Sequence, residues 1–313
     1  MKLLKLYKKA GILVFLLLEA VVFAFIAPNF LSGKNIMNLL RQVAMLGIAS
    51  TGISFIMIGG NAADLSIAGQ IPTLTMLCGV FMKWWNIDPA IAMAMTLALG
   101  VFLGYLNGTI IKILKINPFV VTLSTMTILS GVALLFTGGV SISSLPESFS
   151  WLGQGYIWKV PVPIIVMFAC VFAAQFVLSK THFGRSVYCM GGNPEAARLA
   201  GINIERVRLF TFMISGFFAA ISALMISSRT MIASPTAGSS YGFDTMTACV
   251  LGGISFAGGE GQLWGAFVGV LIIGVLNNAM TLMNVGSYWQ SIIKGIILVL
   301  ALYLDRKQHE VNV

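Results

Sequence analysis

The sequence predicts an all-α, polytopic membrane protein of about ten transmembrane helices, and three observations carry that prediction. Of 313 residues, 58% are hydrophobic and only 9% charged, against the roughly 25% charged that is usual in soluble domains. The apolar residues fall in runs of about 17 to 25, the length a helix needs to cross a bilayer core. Those runs are too long and too unbroken for barrel strands, and a helix satisfies its own backbone hydrogen bonds where lipid offers none.

In chain order the spans fall at about 11–30, 40–59, 64–82, 89–111, 118–137, 161–180, 208–228, 242–257, 263–284 and 288–304. The first follows Lys2, Lys5, Lys8 and Lys9, has no small-x-small cleavage site and runs into Pro28, so it reads as an uncleaved helix rather than a secretory signal. The third is short and opens on Asp64 and Ser66; the fourth carries Gly100, Gly104 and Gly108, a spacing that suits close helix packing, and then Leu106-Asn107. The fifth holds Phe119, Thr122, Ser124 and Thr125, and the sixth leads into the one long polar island of the chain, Phe183 to Gly201. The eighth is again short and opens on Asp244; the ninth carries Gly265, Gly269, Gly274 and Leu276-Asn277; the tenth contains Lys294.

Two short spans that open on an aspartate, each followed by a span with a Leu-Asn pair, predict an internal repeat of five helices plus five. With an odd number of spans per half, the second copy enters the membrane in the opposite sense, and interrupted helices at matching positions mark a transport pathway. The whole of 1–313 then forms a single transmembrane domain with a cytoplasmic loop at 181–207 and extracytoplasmic loops at 138–160 and 229–241. With both termini cytoplasmic, thirteen of the 19 Lys and Arg lie inside, five (Lys34, Arg41, Lys83, Lys159, Arg229) lie outside, and Lys294 is within the last span. That bias favours this orientation, because cytoplasmic loops retain Lys and Arg.

The net charge of +9 is therefore topological, and no basic face interleaved with exposed aromatics points to nucleic acid. Cys78, Cys170, Cys189 and Cys249 lie in or beside apolar spans without paired spacing, which fits apolar filler and implies neither a disulfide nor a metal site. The chain has no G-x-x-x-x-G-K-[ST] phosphate loop, so it does not bind ATP by that route. Gly238-Ser239-Ser240-Tyr241-Gly242 matches a nucleophile-elbow pattern, but His182 and His309 fall on the other side of the membrane and leave that serine without a base.

Within the island, Asn193 is placed to cap a helix that begins at Pro194, where the missing N–H costs nothing. Glu195 suits the positive end of the helix dipole and Gly201 is placed to end the helix, which gives about seven residues from Pro194 to Ala200. Ala196, Ala197, Leu199 and Ala200 supply a small apolar surface, with Arg198 projecting elsewhere. So short a helix needs a surface to dock on: either its own membrane domain, as an interfacial loop, or a cytoplasmic partner.

The stretch from Gly191-Gly192-Asn193 through Gly201-Ile202 to Arg208 resembles the cytoplasmic loop of ABC importer permeases of the ribose/xylose/galactose type. The likeness continues in register through Pro235-Thr236-Ala237-Gly238, Tyr241, Asp244, Val250-Leu251-Gly252-Gly253, Ser255, Gly258-Gly259 with Gly261, Leu276-Asn277-Asn278, Ser287-Tyr288 and Lys294. In the first half, Gly59-Gly60 with Asp64-Leu65-Ser66 is similar to that family's glycine–aspartate signature. The chain departs from it by inserting Asn61-Ala62-Ala63 and by placing Ala68 before Gly69.

The resemblance implies a permease subunit of a multi-pass bacterial inner-membrane importer, paired with a second permease subunit. It also implies a cytoplasmic ABC ATPase, an extracytoplasmic solute-binding protein and a small polar solute such as a sugar. The chain itself would be no enzyme and hold no cofactor, with ATP and Mg on the partner subunits. Gly192, Asn193, Glu195, Ala196, Arg198, Leu199 and Gly201 would form the element that couples to the ATPase.

A polyol-like solute is handled by Asn, Thr and Ser with an aromatic platform, which makes Asn107, Phe119, Thr122, Ser124, Thr125 and Asn277 candidates for the pathway. Asp64, Ser66 and Asp244 join them, because an intramembrane carboxylate is costly and suggests function; the same aspartates could instead cap their helices. Glu19 and Lys294 lie deeper in apolar runs, where pairing with each other, with backbone or with water lowers their cost. An ion- or proton-coupled secondary transporter using Asp64, Asp244 and Glu19 is the alternative function.

Overall fold

The computed structural model describes residues 2–310, and the side chains of residues 11–307. Its helices are α1 (Lys2–Ile26), α2 (Gly33–Ile58), α3 (Ile67–Lys83), α4 (Pro89–Leu114), α5 (Pro118–Leu135), α6 (Glu147–Gln154), α7 (Val162–Lys180), α8 (His182–Gly192), α9 (Pro194–Leu199), α10 (Ile204–Thr230), α11 (Tyr241–Leu251), α12 (Leu263–Leu282) and α13 (Ser287–Glu310). Strands of two residues, β1 (Ile142–Ser143), β2 (Tyr156–Ile157), β3 (Val160–Pro161) and β4 (Ile232–Ala233), pair as β1 with β4 and β2 with β3, both antiparallel. Seven helices, α2, α4, α5, α7, α10, α12 and α13, are long and apolar enough to cross a membrane; α3 and the apolar part of α1 are shorter, and α11 has 11 residues.

The helix starts follow the local chemistry. Asp88 and Asn117 accept from the backbone N–H groups of Ala90 and Phe119 at 2.8 and 2.9 Å, each just ahead of a proline at the first helical position, where its ring pre-sets the backbone. Several ends differ from the sequence expectation. The first span stops at Ile26 rather than near 30, just before Pro28 and Asn29, whose φ is +56°. The third begins as helix only at Ile67, because Asp64 accepts from the Ser66 N–H at 3.0 Å and holds a local turn. The eighth ends at Leu251, ahead of Gly252 and a left-handed Gly253. The outer loop 138–160 is not irregular throughout: α6 is docked through Gly153 N–H to Ser228 Oγ at 2.7 Å, on the last turn of α10.

α2 and α10 form the centre, and every residue of α2 from Val43 to Ile58 is buried. α3 and α4 pack against α10 and with each other, and α5 packs on both of them; α11 and α12 pack against α2, and α13 packs on α11. α1 lies against α12, and α7 against α2. Small residues set the closest approach: a Cβ added at Gly104 would stand 2.1 Å from the Phe212 carbonyl oxygen, and one at Gly269 would stand 1.8 Å from that of Ala248. The periodic glycines therefore do the packing their spacing predicts: those of the fourth span against α10, Gly265 and Gly269 against the end of α11, and Gly274 against Val43 of α2. Near the start of α2, Asn35 and Asn278 exchange both amide hydrogen bonds at 2.8 and 2.9 Å and fasten α2 to the end of α12.

One end of the bundle is rich in exposed aromatic residues: Trp84 and Trp85 after α3, Trp151 in α6, Trp158 between β2 and β3, and Tyr288 and Trp289 in the first turn of α13. Arg41, in α2, stacks 5.0 Å over the Tyr156 ring at that same end. Indole and phenol groups at one level suit a lipid–water interface, where one edge stays apolar and the other wet.

Candidate functional site

The polar island folds as two helices where one was expected. Thr181 Oγ1 accepts from the Gly184 N–H at 3.1 Å and starts α8, a helix the sequence reading left as loop because its capping threonine directly abuts the preceding span. Asn193 ends α8 and starts α9, its Oδ1 accepting from the Ala196 N–H at 3.0 Å as the capping pattern predicts. α9 stops at Leu199, one residue before the expected end, and Gly201 takes a φ of +83° that turns the chain into α10. Asn203 then caps α10 through the Arg206 N–H at 3.0 Å.

The faces of α9 are unequal. Ala197 is buried, whereas Glu195, Ala196 and Arg198 are exposed and Leu199 is 90% exposed. Glu195 and Arg198 approach to 3.7 Å on the outer surface, a pair too solvated to hold the helix by itself. The result is a short, capped peg anchored by one small residue, presenting a large apolar tip.

Beneath the peg is a junction made almost wholly of glycine backbone. A Cβ on Gly191 would lie 1.9 Å from the Ile58 carbonyl oxygen and 2.5 Å from the Gly259 nitrogen; one on Gly258 would lie 2.4 Å from the Gly60 Cα. Gly259 N–H donates to the Ile58 carbonyl at 2.8 Å, and the Tyr188 hydroxyl of α8 donates to the Gly261 carbonyl at 2.8 Å. Burial pushes the Tyr188 phenol above its ordinary value, so it keeps the proton it donates. The end of α2, the end of α8 and the segment ahead of α12 thus meet at van der Waals limits. A Cβ on Gly192, singled out in the sequence, would meet nothing within 4 Å, whereas one on Gly191 has no room; the Gly192 backbone still joins the junction, since a Cβ on Gly259 would lie 2.6 Å from its Cα. The recurrence of Gly-Gly at 59–60, 191–192 and 258–259 was the available signal.

From this junction Gly59 to Ser66 runs as non-helical chain into the protein interior, with Ala62 at a φ of +58°. Arg208 Nε donates to Asn61 Oδ1 at 2.7 Å, so the inserted Asn61-Ala62-Ala63 is tied to the first turns of α10. Irregular backbone of this kind is tolerated at membrane depth only where protein buries it.

Asp64 lies at the end of that segment and is fully buried. Its carboxylate accepts from the Ser66 N–H, the Ser66 hydroxyl and, at 2.9 Å, the Ser215 hydroxyl. Ser66 Oγ in turn accepts from Gln70 Nε2 at 2.7 Å and Asn107 Nδ2 at 2.8 Å, and Asn107 Oδ1 accepts from Thr125 at 2.8 Å. Thr122 is buried beside this network and donates to the Phe119 carbonyl at 3.1 Å. The partners of Asp64 among the described residues are neutral donors, and the network they head knits α3, α4, α5 and α10. Ser124 faces outward, bonded to the Val120 carbonyl at 2.9 Å, and the Phe119 ring does not join the cluster.

Asp244 lies in the first turn of α11 rather than capping it, since Ser240 holds the cap position. Lys294 Nζ meets its Oδ2 at 3.0 Å, and the Ser240 hydroxyl donates to the same oxygen at 3.0 Å. Lys294 thus pairs with Asp244 and not with Glu19, whose buried Oε2 has no hydrogen-bond partner among the described residues. The ion pair lines a half-open cavity of about 240 Å³. Asn277 shares this cavity, while its neighbour Asn278 is taken up by Asn35.

Residues 35–302 match the family described as branched-chain amino acid transport system / permease component. The chain is 39% identical to the ribose import permease protein of Bacillus subtilis over 96% of its own length and 94% of that protein's. It is 33% identical to the ribose import permease protein of Escherichia coli, over 97% and 95% of the two chains. It is 32% identical to the xylose transport system permease protein of Escherichia coli, over 88% and 86%. No solved structure matches it.

Proposed function

The chain belongs to the branched-chain amino acid transport system / permease component family, and from that premise we propose that it forms half of the translocation pathway of a sugar importer driven by a separate ATPase. It is a permease subunit of an ATP-binding-cassette importer and not an enzyme; ATP hydrolysis belongs to partner subunits, which would carry ATP and Mg. The family description speaks of branched-chain amino acids, but relatives matching nearly the whole chain carry ribose and xylose in their names. A pentose or related sugar is therefore the favoured solute over an amino acid or nucleoside.

The observation that carries the reading is the exposed peg of α9 standing on the glycine junction. A motor that closes on ATP can move membrane helices only through a stiff contact. The capped α9, with Gly192, Asn193, Glu195, Ala196, Arg198, Leu199 and Gly201, supplies that contact. The junction below it would pass displacement to α2 and to the segment ahead of α12 together.

The same reading takes α1, α3 and α11 as spans beside the seven long helices, giving ten, with both termini cytoplasmic in a bacterial inner membrane. The aromatic rim agrees, since in this orientation Trp84, Trp85, Trp151, Trp158 and Trp289 all fall outside. An inverted repeat is supported by the neighbour pattern: exchanging α2, α3, α4 and α5 for α10, α11, α12 and α13 maps the pairs α4–α10, α3–α10, α3–α5 and α3–α4 onto α12–α2, α11–α2, α11–α13 and α11–α12. α1 and α7 fall outside that exchange. A second permease subunit, identical or related, and an extracytoplasmic solute-binding protein would complete the importer.

The rival ion-coupled reading needs carboxylates free to exchange protons or cations. Asp64 is held by three neutral donors and Asp244 by an ammonium, which leaves Glu19 alone. Proteoliposomes holding the permease, its ATPase and its binding protein are expected to accumulate ribose or xylose only when ATP is supplied to the ATPase side, and to lose uptake when any component is omitted. Accumulation by this chain alone under an ion gradient would sink the proposal.

A further inference from the structure

The two aspartates that stand at matching positions in the halves have unlike surroundings, and the difference assigns them different work. Around Asp64 the carboxylate, Ser66, Asn107, Thr125 and Ser215 bond to one another, while Gln70 Oε1 stays without a partner among the described residues, so that cluster is a clasp between helices. Around Asp244 the same kind of carboxylate opens on a cavity of about 240 Å³ lined by Gln42, Ser240, Asn277, Gln290 and Lys294 among others. We propose that this cavity, bounded by α2, α11, α12 and α13 within one protomer, binds a neutral polyhydroxylated solute. The proposal rests on the importer reading above and adds a location and a recognition chemistry to it.

Three observations carry it. First, the Lys294 ammonium already sits 3.0 Å from the Asp244 carboxylate; the pair neutralises itself, so the site suits a neutral ligand rather than an ion. Second, Asn277, on the cavity wall, has a buried Oδ1 with no hydrogen-bond partner among the described residues. Packing does not require that amide, because Asn278 already supplies the link to Asn35 on α2. A buried acceptor left open is costly unless something donates to it. Third, the lining is mixed in the way vicinal hydroxyls require: an ammonium donates, a carboxylate accepts, and three amides do both, while each sugar hydroxyl is itself both donor and acceptor. Ser240, exposed on the cavity wall, belongs to the segment 229–241 that the topology places outside, where solute released from a binding protein would arrive.

The test uses the complete importer in proteoliposomes with Asn277→Cys and a membrane-impermeant maleimide added from the outside, the wild type serving as control for the native cysteines. Cysteine 277 is expected to be modified, and millimolar ribose or xylose to slow that modification by about fivefold or more, while sodium chloride of equal osmolarity does not. In parallel, Asn277→Leu is expected to lower ATP-driven uptake by about tenfold, the equivalent of one lost hydrogen bond to solute, with the complex assembled normally. Failure of modification, protection by salt as strong as by sugar, or unchanged uptake in Asn277→Leu would each overturn the cavity assignment while leaving the ATP-driven importer reading intact. Absence of ATP-driven uptake in the wild type would overturn that reading itself, and the cavity assignment with it.

Discussion

Gly191→Ala abolishes transport while Gly192→Ala leaves it close to the wild-type rate; this contrast between adjacent glycines is the largest effect the structure predicts. A methyl group at 191 would stand 1.9 Å from the Ile58 carbonyl oxygen and 2.5 Å from the Gly259 nitrogen, both backbone atoms that no rotamer change can move. Relief requires α8 to back away from the end of α2 and the segment ahead of α12, or those two to part and break the Gly259-to-Ile58 hydrogen bond; either way the junction spreads. At 192 the added methyl meets nothing within 4 Å. ATP-driven uptake by the two variants in matched amounts, with thermal stability in detergent as a second readout, checks this. Destabilisation of Gly191→Ala by about 1–3 kcal/mol is expected from overpacking. Equal uptake by both variants would show that the junction does not transmit motion.

The second large effect lies at the tip of the peg. Leu199 is 90% exposed and Glu195 stands one turn earlier on the same helix, so Glu195→Arg with Leu199→Asp changes the partner-facing surface without touching the buried Ala197. The double variant is expected to fold and insert normally, because none of its substituted atoms is buried, and to lose ATPase co-purification and with it uptake. A central apolar anchor commonly contributes about 2 kcal/mol or more to an interface, and reversing a nearby charge adds to the loss. Unchanged co-purification of the ATPase would place the contact elsewhere on the cytoplasmic face.

The all-α membrane class, the long apolar helices and the capping of α9 were legible in the sequence because they rest on local rules: run length, a cap residue ahead of Pro194, and a glycine at 201 where the backbone turns left-handed. α8 was not, because Thr181 caps a helix that follows Lys180 with no intervening linker, and nothing in residue type separates it from a loop. α6 was missed because its short helix is held by a distant partner, Ser228, that sequence spacing cannot reveal. Among the candidate solute residues, type identified polar groups inside the bundle but not their company. Asp64, Ser66, Asn107 and Thr125 satisfy one another, whereas Asn277 and Asp244 share an open cavity, and only the packing of four helices distinguishes the two. Lys294 illustrates the same point: a buried ammonium needs a counter-ion, and position within the apolar runs alone suggested Glu19 rather than Asp244. The register of α13 against α11 decides for Asp244.

The central claim is that α9 receives mechanical work from a cytoplasmic ATPase rather than resting on the lipid surface as an ordinary interfacial loop. A photoreactive phenylalanine derivative placed at Leu199 in the assembled importer tests it directly, with the same group at the exposed outer residue Trp158 as control. The account predicts an adduct between this chain and the ATPase from position 199 and none from position 158. An adduct from 199 to lipid alone, with ATP-driven uptake still running, would contradict it.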